Sequence, residues 1–488
     1  MSAAVPLPLP SGDADRDPGG APTVWTYAAY GLAATLVIGV ASCMWAVPLP
    51  LSDNLVLILE AQRMRLVDGL RTAFMDRGVL RPFYWAQYKV LFDLSGGHYY
   101  LAYQGFHVAM FAATVFLSVS VLRVRTALEF IAAGCSVMVL LGIHTFGNLV
   151  REQPILVVTC CALATALAFA SRPAWWRDVL AVAALVVAMF IVEIGLLVWV
   201  IYVAAWLCGQ RGVSRAGLVL ATAALAGYFV LRLLVLPSGV PSLFPRDTGF
   251  GLAILDTDQL SQRFGDRFLL LYAYNVLASV ASVLFAGPRA GVFQFVNRLI
   301  HGGLRPWMWI NIVSSSVTTL GVAWFLWRGR ASLRRLAPSR SQAIVVVAGA
   351  VIAANAVISY PYSRDVTMGT AGLAYALAVF PVVVALLVRL ESLPRGRRLA
   401  LAALLFALSS AWAVRVMSLT YTLRVTAFVN RNDWAGAEEW LRRVGRMPTN
   451  AEGLALVQTL KTEAISSPVP NPVVAQQYAE AYLGTGSY

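Results

Sequence analysis

Runs of about twenty apolar residues recur from Trp25 to Leu419, separated by short arginine-rich connectors, and this pattern constrains the chain more than any other feature. A helix needs about 20 such residues to cross the hydrocarbon of a bilayer. Backbone polar groups there must be satisfied inside the protein, so a spanning segment is a helix or part of a closed barrel, and runs this long are helical. The expected fold is all-α, a polytopic transmembrane bundle of about 11–12 spans. Composition agrees: 59% of the 488 residues are hydrophobic and 13% charged, against roughly 25% charged in a soluble domain.

The net charge of +14 would raise the question of nucleic acid in a soluble protein. Here the arginines fall in short connectors: Arg123 and Arg125, Arg172 and Arg177, Arg211 and Arg215, Arg328 to Arg340, and Arg389 to Arg398. That is the signature of cytoplasmic loops, so the basicity reports topology and no nucleic-acid partner is expected. Residues 1–22 are rich in Pro, Gly, Asp and Ala, which predicts a disordered cytoplasmic N-terminus without a signal peptide. All five cysteines lie within or at the end of apolar runs, and the four histidines have no ligand spacing. Neither a disulfide nor a metal site is expected.

With the N-terminus inside, a transmembrane domain over 23–420 alternates as follows. A first span at 25–45 ends at Pro48 and Pro50, and residues 51–100 form a long outer loop. Leu59, Leu66, Leu70 and Phe74 alternate there with charged residues, which predicts amphipathic helix on the membrane surface. Spans follow at 101–121, 127–147 and 154–171. The 29 residues of 179–207 carry Glu193 near their middle and have basic flanks at both ends, which favours two half-spans meeting near Glu193 over one tilted helix. After a span at 215–235, a second outer loop covers 236–306. Its apolar stretch 268–285 is re-entrant if 179–207 is a hairpin, and a true span if not. Four further spans (307–327, 343–359, 370–389, 399–419) put residues 421–488 outside as a short helical tail. In that tail Asn432 or Asp433 is positioned to cap a helix carrying Trp434, Ala437, Leu441 and Val444, stopped by Gly445.

Several polar residues on the outer side then need an account. Asp53, in Pro-Leu-Ser-Asp-Asn just after the first span, is placed to act as a general base or to cap an interfacial helix. Glu193 lies in an apolar stretch with no cation within a helical turn, so it either serves a site or bridges helices as a hydrogen-bonded group. Arg364, in Tyr-Pro-Tyr-Ser-Arg-Asp, can bind phosphate bidentately or pair with Asp365 or lipid headgroups. Arg151 invites the same two readings, and Arg81 before Pro82 adds a further cation.

The order of these features resembles the membrane-embedded glycosyltransferases of the GT-C superfamily, particularly the branch related to protein O-mannosyltransferases. The resemblance covers roughly residues 25–420. It is carried by Asp53-Asn54 after the first span, Arg81-Pro82-Phe83-Tyr84, His144 and Arg151 around the turn before the fourth span, Val192-Glu193 in a short hydrophobic hairpin, and Ser363-Arg364-Asp365 leading to Gly372. Asn54, Val192 and Ser363 depart from the acid, lysine and glutamate usual in that branch.

What the resemblance implies is sugar transfer, with inversion, from a polyprenyl-phosphate donor to an acceptor hydroxyl at the outer face of the cytoplasmic membrane. Asp53 takes the catalytic role, Arg364 and Arg151 the donor phosphate, and Glu193, Arg81 and His144 supporting roles. The acceptor is a protein, lipid or glycan; membrane lipids are the other partner. No cofactor is implied, the lipid-linked sugar being a substrate, and a divalent metal stays open. Competing readings are an O-antigen ligase or polymerase using the arginines of 236–306, a lipid-linked glycan flippase or transporter, and a structural membrane subunit.

Overall fold

The structure, a computed structural model, describes residues 22–75, 80–143, 153–169, 174–210, 212–235, 247–250, 253–287, 291–335, 337–363 and 367–466. It is an α-helical bundle. Among the described residues, eight helical stretches are long and apolar enough to cross a membrane, and three shorter apolar helical stretches accompany them (Ala127–Gly142, Gln153–Phe169 and Glu193–Leu207). The chain is thus a polytopic α-helical membrane protein.

The helices run in the order α1 (Val24–Trp45), α2 (Asp53–Arg63), α3 (Leu66–Met75), α4 (Pro82–Leu94), α5 (Tyr99–Leu122), α6 (Ala127–Gly142), α7 (Gln153–Phe169), α8 (Trp175–Ile191), α9 (Leu197–Leu207) and α10 (Arg215–Val230). A short antiparallel hairpin, β1 (Thr248–Phe250) with β2 (Ala253–Leu255), precedes α11 (Thr257–Phe264) and α12 (Phe268–Phe285). Then come α13 (Gly291–His301), α14 (Pro306–Arg328), α15 (Arg330–Arg334), α16 (Arg340–Ile358), α17 (Gly369–Ser392), α18 (Arg395–Asp433), α19 (Ala437–Arg443) and α20 (Ala451–Ser466).

Small residues decide which helix sits in the centre. The sequence of α17 opens Gly-Thr-Ala-Gly-Leu-Ala-Tyr-Ala, and nearly every residue from Gly369 to Val383 is buried. Without lipid-excluding hydrophobic force between helices, close backbone approach is what holds a bundle together, and Gly and Ala permit it. At the periphery, α10, the turn after it and α18 present Leu220, Leu234, Phe406 and Met417 outward, an apolar belt that suits hydrocarbon rather than water.

The arginine-rich connectors gather at one end of the bundle. Thr23 and Thr26 start α1 as a capping box, and their hydroxyls also donate to the carbonyls of Arg125 (3.0 Å) and Val124 (2.6 Å). Arg340 donates to Val121 O at 3.3 Å, and Gln342 donates to Gly329 O at 3.2 Å. Gly212 N–H reaches Phe169 O at 3.2 Å, and Asp178 accepts from both the N–H and the hydroxyl of Ser214 at 2.8 and 2.6 Å.

Those last contacts settle the path of 179–207. The chain leaves this end along α8, turns at Glu193, and returns along α9 to residues beside Phe169 and Asp178. The segment is a hairpin of two helices, 17 and 11 residues long. Val192 is extended (φ −159°, ψ 153°), and Gly195 then folds back so tightly that a Cβ there would lie 2.2 Å from the carbonyl carbon and oxygen of Ala188. The obstruction is backbone and cannot swing aside. Gly195→Ala is therefore expected to cost about 3 kcal/mol, the upper part of the overpacking range, seen as a lower melting temperature of the purified protein; an unchanged melt removes the constraint.

With that hairpin present, 268–285 is expected to be re-entrant, and its contacts agree. Near its middle, Asn275 donates to Gly249 O (3.0 Å) and Pro361 O (3.3 Å), both in connections at the Glu193 end. Just past its last residue, Ala286 O accepts from Ser315 of α14 at 3.3 Å. At 1.5 Å per residue, Ser315 lies about 20 Å short of Arg328 at the arginine-rich end. The chain then turns back through α13, whose Val292 N–H meets Ser282 Oγ at 3.3 Å.

The amphipathic stretch around Leu59 to Phe74 forms two helices broken at Met64, with Leu66 exposed. The break lets α3 cross α4 with Gly69 against the Trp85 ring, where a Cβ would approach to 2.1 Å. At the other end of the chain, Asn432 and Asp433 do not cap a new helix. They continue α18, which runs unbroken to Asp433 because Asn430 donates to Pro48 O (3.1 Å) and buried Trp434 to Leu49 O (2.7 Å). Gly445, at φ +67°, does end α19 as expected. Leu441, Leu456, Val457 and Leu460 of α19 and α20 then pack on Leu55 and Ile58 of α2. Burial pushes the Glu463 carboxyl up, against the pull of the Tyr100 N–H that it accepts at 3.1 Å.

Candidate functional site

At the end of the bundle opposite the arginine-rich connectors, one carboxylate collects two guanidinium groups. Glu193 sits at the turn between α8 and α9. Arg81, which precedes Pro82 at the start of α4, donates to its Oε2 from Nε at 3.0 Å and from Nη2 at 2.5 Å. Arg232, one turn beyond α10, donates to Oε1 at 3.2 Å and to the Tyr228 hydroxyl at 2.7 Å. Side-chain exposures of 40% for Arg81, 23% for Glu193 and 16% for Arg232 put the group at a partly open surface. Counting the three formal charges leaves a surplus of one positive charge.

Aromatic packing fixes the arrangement from beneath. The Phe190 ring meets Phe83 (5.5 Å), Phe74 (6.0 Å) and Tyr228 (5.7 Å) between centroids. Through that one ring α3, α4, α8 and α10 are joined directly under the ion pair. Pairs of this kind add about 0.5–1.5 kcal/mol each beyond their buried area. Two guanidiniums and a carboxylate so braced make a fixed, net positive group of the chemistry that binds phosphate or carboxylate oxygens in pairs.

Asp53 is exposed in the first turn of α2, and Ser52 is the residue that caps it, accepting from Asn54 N–H at 3.4 Å. Its carboxylate therefore gains from the helix N-terminus without being consumed as the cap. The next residue, Asn54, accepts from the Tyr88 hydroxyl at 2.7 Å. Tyr88 lies about 10 Å along α4 from Arg81 at 1.5 Å per residue, so the helix that holds Asn54 begins at a member of the ion cluster. Beside Asn54 is a narrow pocket with Gln104, His107, Gln153 and Asn430 in its wall. Its polar wall is held in place: Gln153 donates to Tyr103 O at 2.9 Å and accepts from Gln87 at 3.3 Å.

Of the site residues expected from the sequence, Arg81 and Glu193 are brought together, and Asp53 stands on the helix pair that flanks them. His144, Arg151 and Arg364 lie outside the described residues. Among the described residues no group of three or more His, Cys, Asp or Glu is placed to hold a metal ion. Sequence reasoning missed Arg232 and Arg415. Both are arginines embedded in apolar runs, a signal that marks function or a polar junction in a membrane helix.

Arg415 is 2% exposed and is saturated by protein. It donates to Gly142 O (2.9 Å), Ala286 O (3.1 Å), Ser314 Oγ (3.0 Å) and Ser315 Oγ (2.8 Å), and its guanidinium stacks 4.0 Å from the Trp412 ring centroid. It joins α6, the tip of α12, α14 and α18, and so is structural.

Fold and site together define a polytopic α-helical membrane protein with an aromatic-braced cationic cluster at one end. No family model matches the chain, and neither does any curated protein or solved structure.

Proposed function

We propose that this chain is an inverting glycosyltransferase that moves a sugar from a polyprenyl-phosphate donor to an acceptor hydroxyl at the outer face of the cytoplasmic membrane. The reading rests on one observation above all: Arg81 and Arg232 converge on Glu193 at the end of the bundle that also carries Asp53. In this reading the arginine-rich end is in the cytoplasm, which puts the N-terminus inside and the Glu193 end, with residues 421–466, outside.

In this mechanism the Asp53 carboxylate takes the acceptor hydroxyl proton as the oxygen attacks the anomeric carbon from the face opposite the phosphate. The bond from that carbon to the phosphate oxygen breaks, and its electrons leave with the lipid phosphate. Arg232 and Arg81 offset the charge that grows there. Glu193 holds both guanidiniums apart from their mutual repulsion and in a fixed direction. Arg151 and Arg364 are further phosphate partners on the resemblance alone.

The test uses the purified protein in nanodiscs with radiolabelled polyprenyl-phosphate sugars and a set of protein, lipid and glycan acceptors. Transfer by the wild type is expected, and Arg232→Gln should lower its rate about 10²–10³-fold, as loss of one charge-stabilising donor does elsewhere. No transfer by the wild type with any such donor overturns the reading. Equal transfer by Arg232→Gln removes this residue from it.

A further inference from the structure

We propose that the arginine-rich end of the bundle holds one anionic phospholipid, with an acyl chain threaded into an apolar cleft between α7, α9 and α16 and its phosphate on Arg340. The cleft is half open to its surroundings, and its free space together with the open space at its mouth comes to about 720 Å³. It follows α16 from Arg340 to Val351, about 16 Å at 1.5 Å per residue. Ala166 on α7, Ala205 on α9 and Ala348 on α16 make the room, and Leu373 and Leu377 of α17 form the floor.

The chemistry of the lining selects the occupant. Arg340 and Gln210 at the mouth and Thr370 toward the far end are its polar side chains, and the rest of the wall is hydrocarbon. A water chain needs two to four polar partners per molecule, which such a wall does not offer. Left empty, the lining would forfeit its dispersion contacts. A thin, flexible alkyl chain supplies them, and the surrounding bilayer is its source.

The mouth names the headgroup. Arg340 is half-buried and donates to Val121 O at 3.3 Å, which holds its guanidinium across the opening. Arg123 follows Val121 by two residues, and Arg328, Arg330, Arg334 and Arg335 precede Arg340 on the same connector. No carboxylate lines the cleft among the described residues. A phosphate without a compensating ammonium is therefore preferred to a zwitterion. The site is at the opposite end from Glu193, so it stands or falls independently of the glycosyl-transfer reading.

The full chain would be reconstituted in nanodiscs with phosphatidylglycerol or phosphatidylcholine carrying a photoreactive group partway along one acyl chain, irradiated, and mapped by peptide mass spectrometry. Cross-links are expected within 162–169, 201–210 and 343–351, at least about fivefold more with phosphatidylglycerol, one surface cation's worth of preference. Arg340→Gln should abolish that preference while leaving the cross-link positions in place, and Ala166→Phe should remove the cross-links by filling the cleft. Labelling confined to outward faces, equal labelling by the two lipids, or displacement of the phospholipid by an equimolar polyprenyl phosphate overturns the proposal. Arg340→Gln removes no apolar wall, so it keeps the test decisive if Ala166→Phe fails to fold.

Discussion

Arg415→Ala is expected to lower the stability of the folded protein by about 3–5 kcal/mol, enough to be read directly as a large drop in melting temperature and in yield of inserted protein. The reason lies in what the guanidinium satisfies. Gly142 O is at the C-terminal end of α6, where helix carbonyls lack intrahelical donors, and Ala286 O is at the tip of the re-entrant α12; both accept from Arg415. Alanine leaves Gly142 O without that donor and opens a cavity beneath Trp412, whose ring the guanidinium covers. The conservative change is no rescue. A lysine ammonium is a compact point donor and cannot reach α6, α12 and α14 at once as a planar fork does, so Arg415→Lys should be no better than alanine. Arg415→Met, which restores volume without charge, should fall between alanine and wild type. An Arg415→Ala protein that melts with the wild type would show that the junction does not hold the re-entrant helix in place.

Asp53→Asn should lower sugar transfer about 10²–10⁴-fold, the share a positioned general base contributes, with melting temperature and donor binding little changed. The side chain is exposed and Ser52 already caps α2, so the folded state asks little of the carboxylate beyond a helix-terminus interaction of about 0.3–1 kcal/mol. Asparagine keeps the shape and the hydrogen-bonding capacity but cannot take a proton. The pair of readouts separates the alternatives. Loss of transfer with retained donor binding supports proton removal from the acceptor, whereas full transfer by Asp53→Asn ends the mechanism. Loss of donor binding together with transfer would instead assign Asp53 to the donor pocket.

How far the sequence could be read depends on the range of the interaction concerned. Helices at 25–45, 101–121 and 343–359 follow from hydropathy alone, because apolar length is a local property. The hairpin at Glu193 was also legible, from basic flanks on both sides of a run too long for one upright helix. Its ion partners were not. Arg81 lies 112 residues before Glu193 and Arg232 lies 39 after it, and no local pattern reports a contact across such separations. Arg415 was hidden for a related reason: one cation in a long apolar run barely changes its mean hydropathy. At Asn432 and Asp433 a sound local preference was overridden, since two tertiary bonds, from Asn430 to Pro48 O and from Trp434 to Leu49 O, carry α18 straight through the expected cap.

The tail that packs on α2 has a consequence for biogenesis. Leu55 and Ile58 are covered by side chains from 441 to 460, which leave the ribosome after the membrane helices α1 to α18 have been made. Until then the nascent chain displays that apolar face of the loop bearing Asp53 to whatever surrounds it, and α19 and α20, emerging after α18, are the helices that close it. A chain interrupted between Asp433 and Leu441 would carry the spans through α18 and an uncovered surface on α2, a form that folding factors and proteases can distinguish from one in which α19 and α20 are in place.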